Sequence, residues 1–302
     1  MNCRKLFHRG FPAVLALCAV ATILCPAAAA ERKILYQKDS PYNSITVAED
    51  GRGLRTLLFE NGGVRQSVVK VGDPDHLELP YTRVMPVALA LVEKPQRVLI
   101  VGLGGGTIPS FLHKHYPKTT IDAVDIDPDV VTVAKKFFGF REDSTMRAHV
   151  ADGRRFIEEC RDPYDIIFLD AYGSENIPYH LATREFLQAV RRALTPQGVA
   201  VGNIWGRHSN PLHDSMVRTY QDVFDELYIL DVRGAGNHIL MALPRKQQIG
   251  QEDLARRAGK ISKKKRFRFD MRELVEYGYR RAKEKDPRGR VLTDKSQTKK
   301  AG

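Results

Sequence analysis

A glycine-rich turn constrains this chain more than any other feature. Gly102-Leu103-Gly104-Gly105-Gly106 follows an apolar run at residues 97–101 and opens a short helical stretch at 108–115. Glycine lets the backbone turn sharply and lets a ligand come close to it. The helix that follows presents N–H groups with no partner inside the helix. From there strands and helices alternate. Strands are expected at 120–125, 146–150, 164–169 and 198–204, and helices at 128–138, 154–160, 181–194 and 212–224. Alternation at that spacing predicts an α/β fold with a parallel, doubly wound, Rossmann-like sheet of about seven strands. Two closing strands, 227–230 and 238–243, are joined too closely for a crossover and are expected to pair antiparallel.

The flanking segments read differently. Residues 33–70 have strand character, punctuated by Gly51-Arg52-Gly53 and Asn61-Gly62-Gly63, which predicts a small antiparallel β domain over 31–80. A helix is expected over 76–93 despite Pro80 and Pro86, and the Rossmann-like domain is taken as 81–244. Residues 1–30 place Arg4, Lys5 and Arg9 before an uncharged apolar run and a small-residue stretch ending at Ala30. That is the order of a secretory signal, and the run is also about long enough for an anchor. The expected location is therefore exported, periplasmic or membrane-anchored; the alternative is cytoplasmic, if the start codon has been assigned too early. Cys3, Cys18 and Cys25 lie in this leader, so its removal leaves only Cys160 and no intrachain disulfide.

The net charge of +12 suggests a polyanion partner until it is located. Residues 245–302 hold 20 Lys and Arg against 8 Asp and Glu, which accounts for the whole excess. The globular part therefore makes no electrostatic case for a specific nucleic-acid partner. The basic segment 245–302 is expected to be a partly disordered tail, with one amphipathic helix at 271–282 and weak affinity for anionic surfaces.

Candidate site residues cluster at predicted strand ends. Asp125 lies 19 positions past Gly106, where a carboxylate can accept both ribose hydroxyls of a nucleoside. Asp127 stands before Pro128 and reads better as a helix N-cap. Asp152 ends the third strand, within reach of an adenine amino group, and Asp170 ends the fourth. Successive carboxylates at one sheet edge face the crevice where such sheets bind ligands, and Gly102, Gly104 and Gly106 form the turn beside it. His113 and His115 are two residues apart on a helix and do not face one site; no metal is expected. Ser174, Ser209 and Ser215 lack a nucleophile-elbow context. Tyr172 and Trp205 suit a pocket wall or plain packing equally.

The pattern resembles the class I S-adenosylmethionine-dependent transferases. Over residues 35–244 it resembles the spermidine synthase (polyamine aminopropyltransferase) family more specifically. The motifs that carry this are Ser40-Pro41-Tyr42-Asn43-Ser44-Ile45, Gly63-Val64-Arg65-Gln66, Pro80-Tyr81, the strand from Tyr164 to Asp170, and Thr183-Arg184-Glu185-Phe186. The resemblance implies decarboxylated S-adenosylmethionine or S-adenosylmethionine as co-substrate, a small-molecule amine as acceptor, and a homo-oligomer such as a dimer. It implies Asp170 as the catalytic base, Gln66 as a donor contact and Tyr81 as a substrate contact. Three positions depart from the family pattern: Gly105 replaces an aspartate, Gly173 replaces a second aspartate, and Thr82 replaces a polar glutamine or histidine. The nucleoside pocket is thus retained and the amine pocket altered, with Glu175 a candidate substitute for the second carboxylate. Two further readings stay open: a methyltransferase on the same scaffold, and an exported nucleoside-binding protein without turnover.

Overall fold

The computed structural model describes residues 32–60, 63–92, 94–171, 177–282, 285 and 287–297. The first four strands, β1 Lys33–Asp39, β2 Ser44–Glu49, β3 Leu54–Leu58 and β4 Arg65–Lys70, form an antiparallel sheet in chain order. The expected helix over 76–93 is shorter and broken. Helix α1, Pro80–Val84, has Pro80 in its first turn, where a missing N–H costs nothing, and the chain then tightens into a 3-10 helix, Met85–Ala90. Pro86 supplies the reason, because its ring nitrogen cannot donate to the carbonyl four residues back. Glu93 lies outside the described residues.

The second sheet has eight strands, which lie in the order Tyr279–Arg281, Glu226–Asp231, Asn237–Leu243, Leu194–Trp205, Tyr164–Leu169, Arg97–Val101, Thr120–Asp125 and Met146–Val150. Its parallel part comprises β5 Arg97–Val101, β6 Thr120–Asp125, β7 Met146–Val150, β8 Tyr164–Leu169 and β9 Leu194–Trp205. The helices between them are α2 Thr107–His115, α3 Pro128–Phe137, α4 Gly153–Glu158, α5 Arg184–Arg192 and, after β9, α6 His213–Val223. β10 Glu226–Asp231 and β11 Asn237–Leu243 pair antiparallel, as their short connection requires. The strands carry near-continuous apolar runs because helices cover both faces. The small sheet lies on α3, where Ile45, Val47, Leu57 and Phe59 pack with Val130, Val133 and Phe138.

The basic C-terminal segment differs from the expected solvated tail. Helix α7, Gln251–Lys265, buries Leu254, Ala255 and Ala258, and helix α8, Met271–Gly278, buries Met271 and Val275 in the same core. The amphipathic stretch stops at Gly278, where a Cβ would collide with the backbone of Asp231. The chain leaves as strand β12, Tyr279–Arg281, which pairs with β10 and takes the sheet to eight strands rather than about seven. Lys263 to Arg266 sit at the C-terminal end of α7, where cations oppose the helix dipole. Lys265 donates to the His115 carbonyl at 2.7 Å and lies 4.0 Å from the Tyr116 ring centre. Leu292 is fully buried in the core cluster that also holds Phe186 and Tyr220, and its backbone bonds both Arg184 and Thr219. Apolar residues thinly spaced among lysines and arginines therefore fold this segment onto the sheet.

Residues 1–31 lie outside the described residues; among those described, no helix is long and apolar enough to cross a membrane. Leu292→Ala should lower stability by about 2–4 kcal/mol, the usual effect of emptying a leucine site in a closed core. Urea unfolding at neutral pH measures this, and no change would show that the segment is dispensable to the fold.

Candidate functional site

The parallel strands end at one edge of the sheet, and there the chain turns around the glycine-rich loop. Gly102 N–H donates to the Val124 carbonyl at 2.8 Å, and Asp170 N–H donates to the Val101 carbonyl at 2.8 Å. A side chain at position 102 would collide with the Asp170 carbonyl, and φ there is +98°, so only glycine fits without strain. Gly104, at φ +52°, approaches Ser67 of β4; a Cβ would lie 2.6 Å from the Ser67 hydroxyl. Ser67 in turn accepts from Gly105 N–H at 2.9 Å, tying the small sheet to the loop.

A cavity of about 330 Å³ opens over this edge. Gln66, Tyr81, Gly102, Gly104, Asp125, Asp152 and Asp170 all line it, so residues spread over 105 positions of sequence converge on one space. Gly106 does not line it. This glycine caps α2 at φ +73° and makes room for Phe140, whose ring carbon would stand 2.8 Å from a Cβ. Its missing Cβ serves packing behind the loop.

The three carboxylates have different surroundings. Asp125 accepts from Leu103 N–H at 2.9 Å and Asp127 N–H at 3.0 Å; burial raises its pKa against those backbone bonds. Asp152 caps α4, accepting from Arg155 N–H at 2.9 Å, and pairs with His180 at 2.9 Å. Burial acts to raise Asp152, but the Arg155 N–H and His180 outweigh it and hold the carboxyl below its usual range. Asp170 is pushed up to about 7 by burial, against the hydrogen bonds from Asn203 and Tyr81. The same burial, with the Asp170 charge next, drives the Tyr81 hydroxyl well above its ordinary range. One carboxyl is thus poised to exchange a proton near neutrality while another stays ionised, the separation that acid–base sites use.

Asp127 follows the helix-cap reading. It is fully buried, caps α3 through Asp129 N–H, and accepts from Ser40 at 2.5 Å and Asn43 at 3.2 Å. Thr82 is turned back onto the Leu79 carbonyl at 2.6 Å and does not line the cavity. Tyr172, Gly173, Ser174 and Glu175 lie outside the described residues. Trp205 is half-buried and not part of the cavity wall. His113 pairs with Asp143 and His115 with Asp75, and among the described residues no group of three His, Cys, Asp or Glu could hold a metal.

Sequence reasoning missed Asn203, His180 and Ser67. Asn203 carried a usable signal, a single amide inside the apolar run ending β9. His180 and Ser67 carried none, because their roles depend on the return of a loop and on the docking of the small sheet.

A glycine turn and strand-end carboxylates around one cavity define the nucleoside-binding class of Rossmann-like domains. Residues 79–226 match the model of the spermine/spermidine synthase domain. The chain is 34% identical over 252 residues to the polyamine aminopropyltransferase of Vibrio vulnificus, spanning 80% of this chain and 83% of that protein. It belongs to the spermine/spermidine synthase family. A crystal structure of human methyltransferase-like protein 13 in complex with SAH is similar at 34% identity and a TM-score of 0.58, covering 62% of this chain and 93% of that one. A probable spermidine synthase from Corynebacterium glutamicum shares the fold at 19% identity and a TM-score of 0.65, covering 76% and 93%.

The raised Asp170 carboxyl has a consequence for stability. Its folded pKa lies above its unfolded one, so folding is penalised once pH exceeds the unfolded value near 4, and the penalty is complete above pH 7. Asp170→Asn should therefore be more stable than the parent, by a margin that grows from pH 4 to pH 7 and reaches at most about 4 kcal/mol. Thermal unfolding from pH 4 to 8 reads this; a margin independent of pH would show that Asp170 is not desolvated.

Proposed function

We propose that this chain is a spermidine synthase-like aminopropyltransferase, moving an aminopropyl group from decarboxylated S-adenosylmethionine to a small primary amine such as putrescine. The observation that carries this is Asp170, a half-buried carboxyl that lines the cavity just past the end of β8, is pushed up to about 7, and is held by Tyr81 and Asn203. The acceptor amine nitrogen attacks the aminopropyl carbon beside the sulfonium. The carbon–sulfur bond breaks, its electron pair stays on sulfur, and neutral methylthioadenosine leaves. The amine must attack unprotonated, although its free pKa is about 10. The neighbouring sulfonium charge lowers that value by repulsion, and Asp170 takes the proton. Asp125 is suited to the ribose hydroxyls, the Asp152–His180 pair to the adenine end, and Gln66 to the donor tail. Acidic walls favour both cations.

A second reading, methyl transfer from S-adenosylmethionine, draws on one observation. Where the resemblance implies an aspartate, Gly105 lies so close to Ser67 and Phe138 that a Cβ would stand 3.0 and 3.1 Å from them. The loop thus sets no carboxylate against the one that S-adenosylmethionine carries and its decarboxylated form lacks. On the same footing, residues 1–30 are read as an export signal or anchor and the enzyme as a homodimer. Cell fractionation and sedimentation test these, and a cytoplasmic monomer would overturn both.

Mass analysis of the product separates the two transfers. An added aminopropyl group, with putrescine converted to spermidine, is expected; an added methyl group from S-adenosylmethionine would replace this reading with the second. Asp170→Asn should lower kcat/KM by about 10²–10⁴-fold. The parent's kcat/KM should rise with pH to an acid limb near 7, where free Asp170 ionises. The limb in kcat should lie lower, because a bound cation favours the ionised carboxyl. An unaltered rate in Asp170→Asn would remove it from the chemistry.

A further inference from the structure

Asp170 does not stand alone behind the cavity. Its Oδ1 accepts from the Asn203 side-chain nitrogen at 2.8 Å, and the Asn203 side-chain oxygen accepts from the Asn237 side-chain nitrogen at 2.9 Å. Asn203 is 2% exposed, near the end of β9, and Asn237 is half-buried at the start of β11, where the two strands pair antiparallel. An amide can present either end to a neighbour, and the two ends act oppositely on a carboxylate. The nitrogen donates to it, whereas the oxygen repels it. With Asn237 donating to the Asn203 oxygen, only the nitrogen is left to face Asp170.

We propose that Asn237 is a positioning residue: it fixes the orientation of the Asn203 amide, and through it keeps Asp170 an acceptor aimed at the cavity. The other groups facing Asp170 leave this task to the asparagine pair. Tyr81 approaches from α1 and donates a hydroxyl. The other titratable groups lining the same cavity are Tyr42, Asp125, Asp152 and His180, of which the last two are paired with each other. Asn203 therefore supplies the amide donor that opposes desolvation of the carboxylate. His238 follows Asn237 on β11 and bonds His213 at 2.7 Å instead.

The inference rests on the reading of Asp170 as the proton acceptor, but its test does not need turnover. The ionisation midpoint of Asp170 is read from the pH at which the stability margin between each protein and its own Asp170→Asn partner levels off. In the full-length chain, Asn237→Leu should move this midpoint upward by about one pH unit, a tenfold change in the ionisation constant. Asn203→Leu should do the same or more. The double variant should match Asn203→Leu, because Asn237 acts only through Asn203. Asn237→Ser, which keeps a donor and disturbs packing least, should restore part of the shift. The acid limb of kcat/KM should follow each midpoint. A midpoint unmoved by Asn237→Leu, or a shift that adds in full to that of Asn203→Leu, would overturn the proposal. Full turnover by Asp170→Asn would instead overturn only the base assignment, since the midpoints are read without it.

Discussion

The ligand edge depends on how closely β5 and β8 approach where they end. The Val101 carbonyl accepts from Asp170 N–H, and the Cβ-less Gly102 lets the Asp170 carbonyl sit against it. This contact does two things at once. It turns the chain out of β5 early enough for the next residues to curl over the cavity, and it fixes the height at which Asp170 emerges. Asp125 is set by the same turn from the other side, through Val124 accepting from Gly102 and Leu103 donating to the Asp125 carboxylate. Strand spacing in a parallel sheet is close to constant. Once the middle strand is stitched to both neighbours, the carboxylates therefore have little freedom left.

Energetically, the site is a compromise over one partly desolvated charge. Burial opposes ionisation of Asp170, while donors from Tyr81 and Asn203 favour it. The balance near neutrality leaves the carboxyl responsive to whatever cation fills the cavity. The solvent that reaches Asp170 is the solvent in that cavity, so a ligand completes the desolvation and also supplies the charge that offsets it. Asp152 contrasts usefully. Also buried in part, it is drawn below its usual range by a helix N–H and a histidine.

Much of this was legible in the sequence. The alternation from residue 97 onward gave the parallel sheet, because each strand is an apolar run between turn signals. The strand-end aspartates were visible for the same reason. What failed were features settled by distant partners. Gly106 looked like its neighbours in the loop, yet it serves Phe140. The helix over 76–93 was broken by Pro86, whose effect depends on how tightly the chain must wind against the sheet. The C-terminal segment was misjudged because charge dominates its composition, while the few residues that decide its place, among them Leu254, Met271 and Leu292, are scattered too widely to form a pattern. Asn203 was visible as an exception in an apolar strand, but its role needed Asn237, which no local spacing connects to it.

Leu292 has a consequence for how the molecule comes into being. It fills a fully buried place between α5 and α6, and the last residue of those helices, Val223, precedes it by 69 positions (292 − 223). A chain still emerging from the ribosome therefore has its whole central sheet synthesised while one place in its core stays empty. That part of the core therefore closes only once residue 292 has been made.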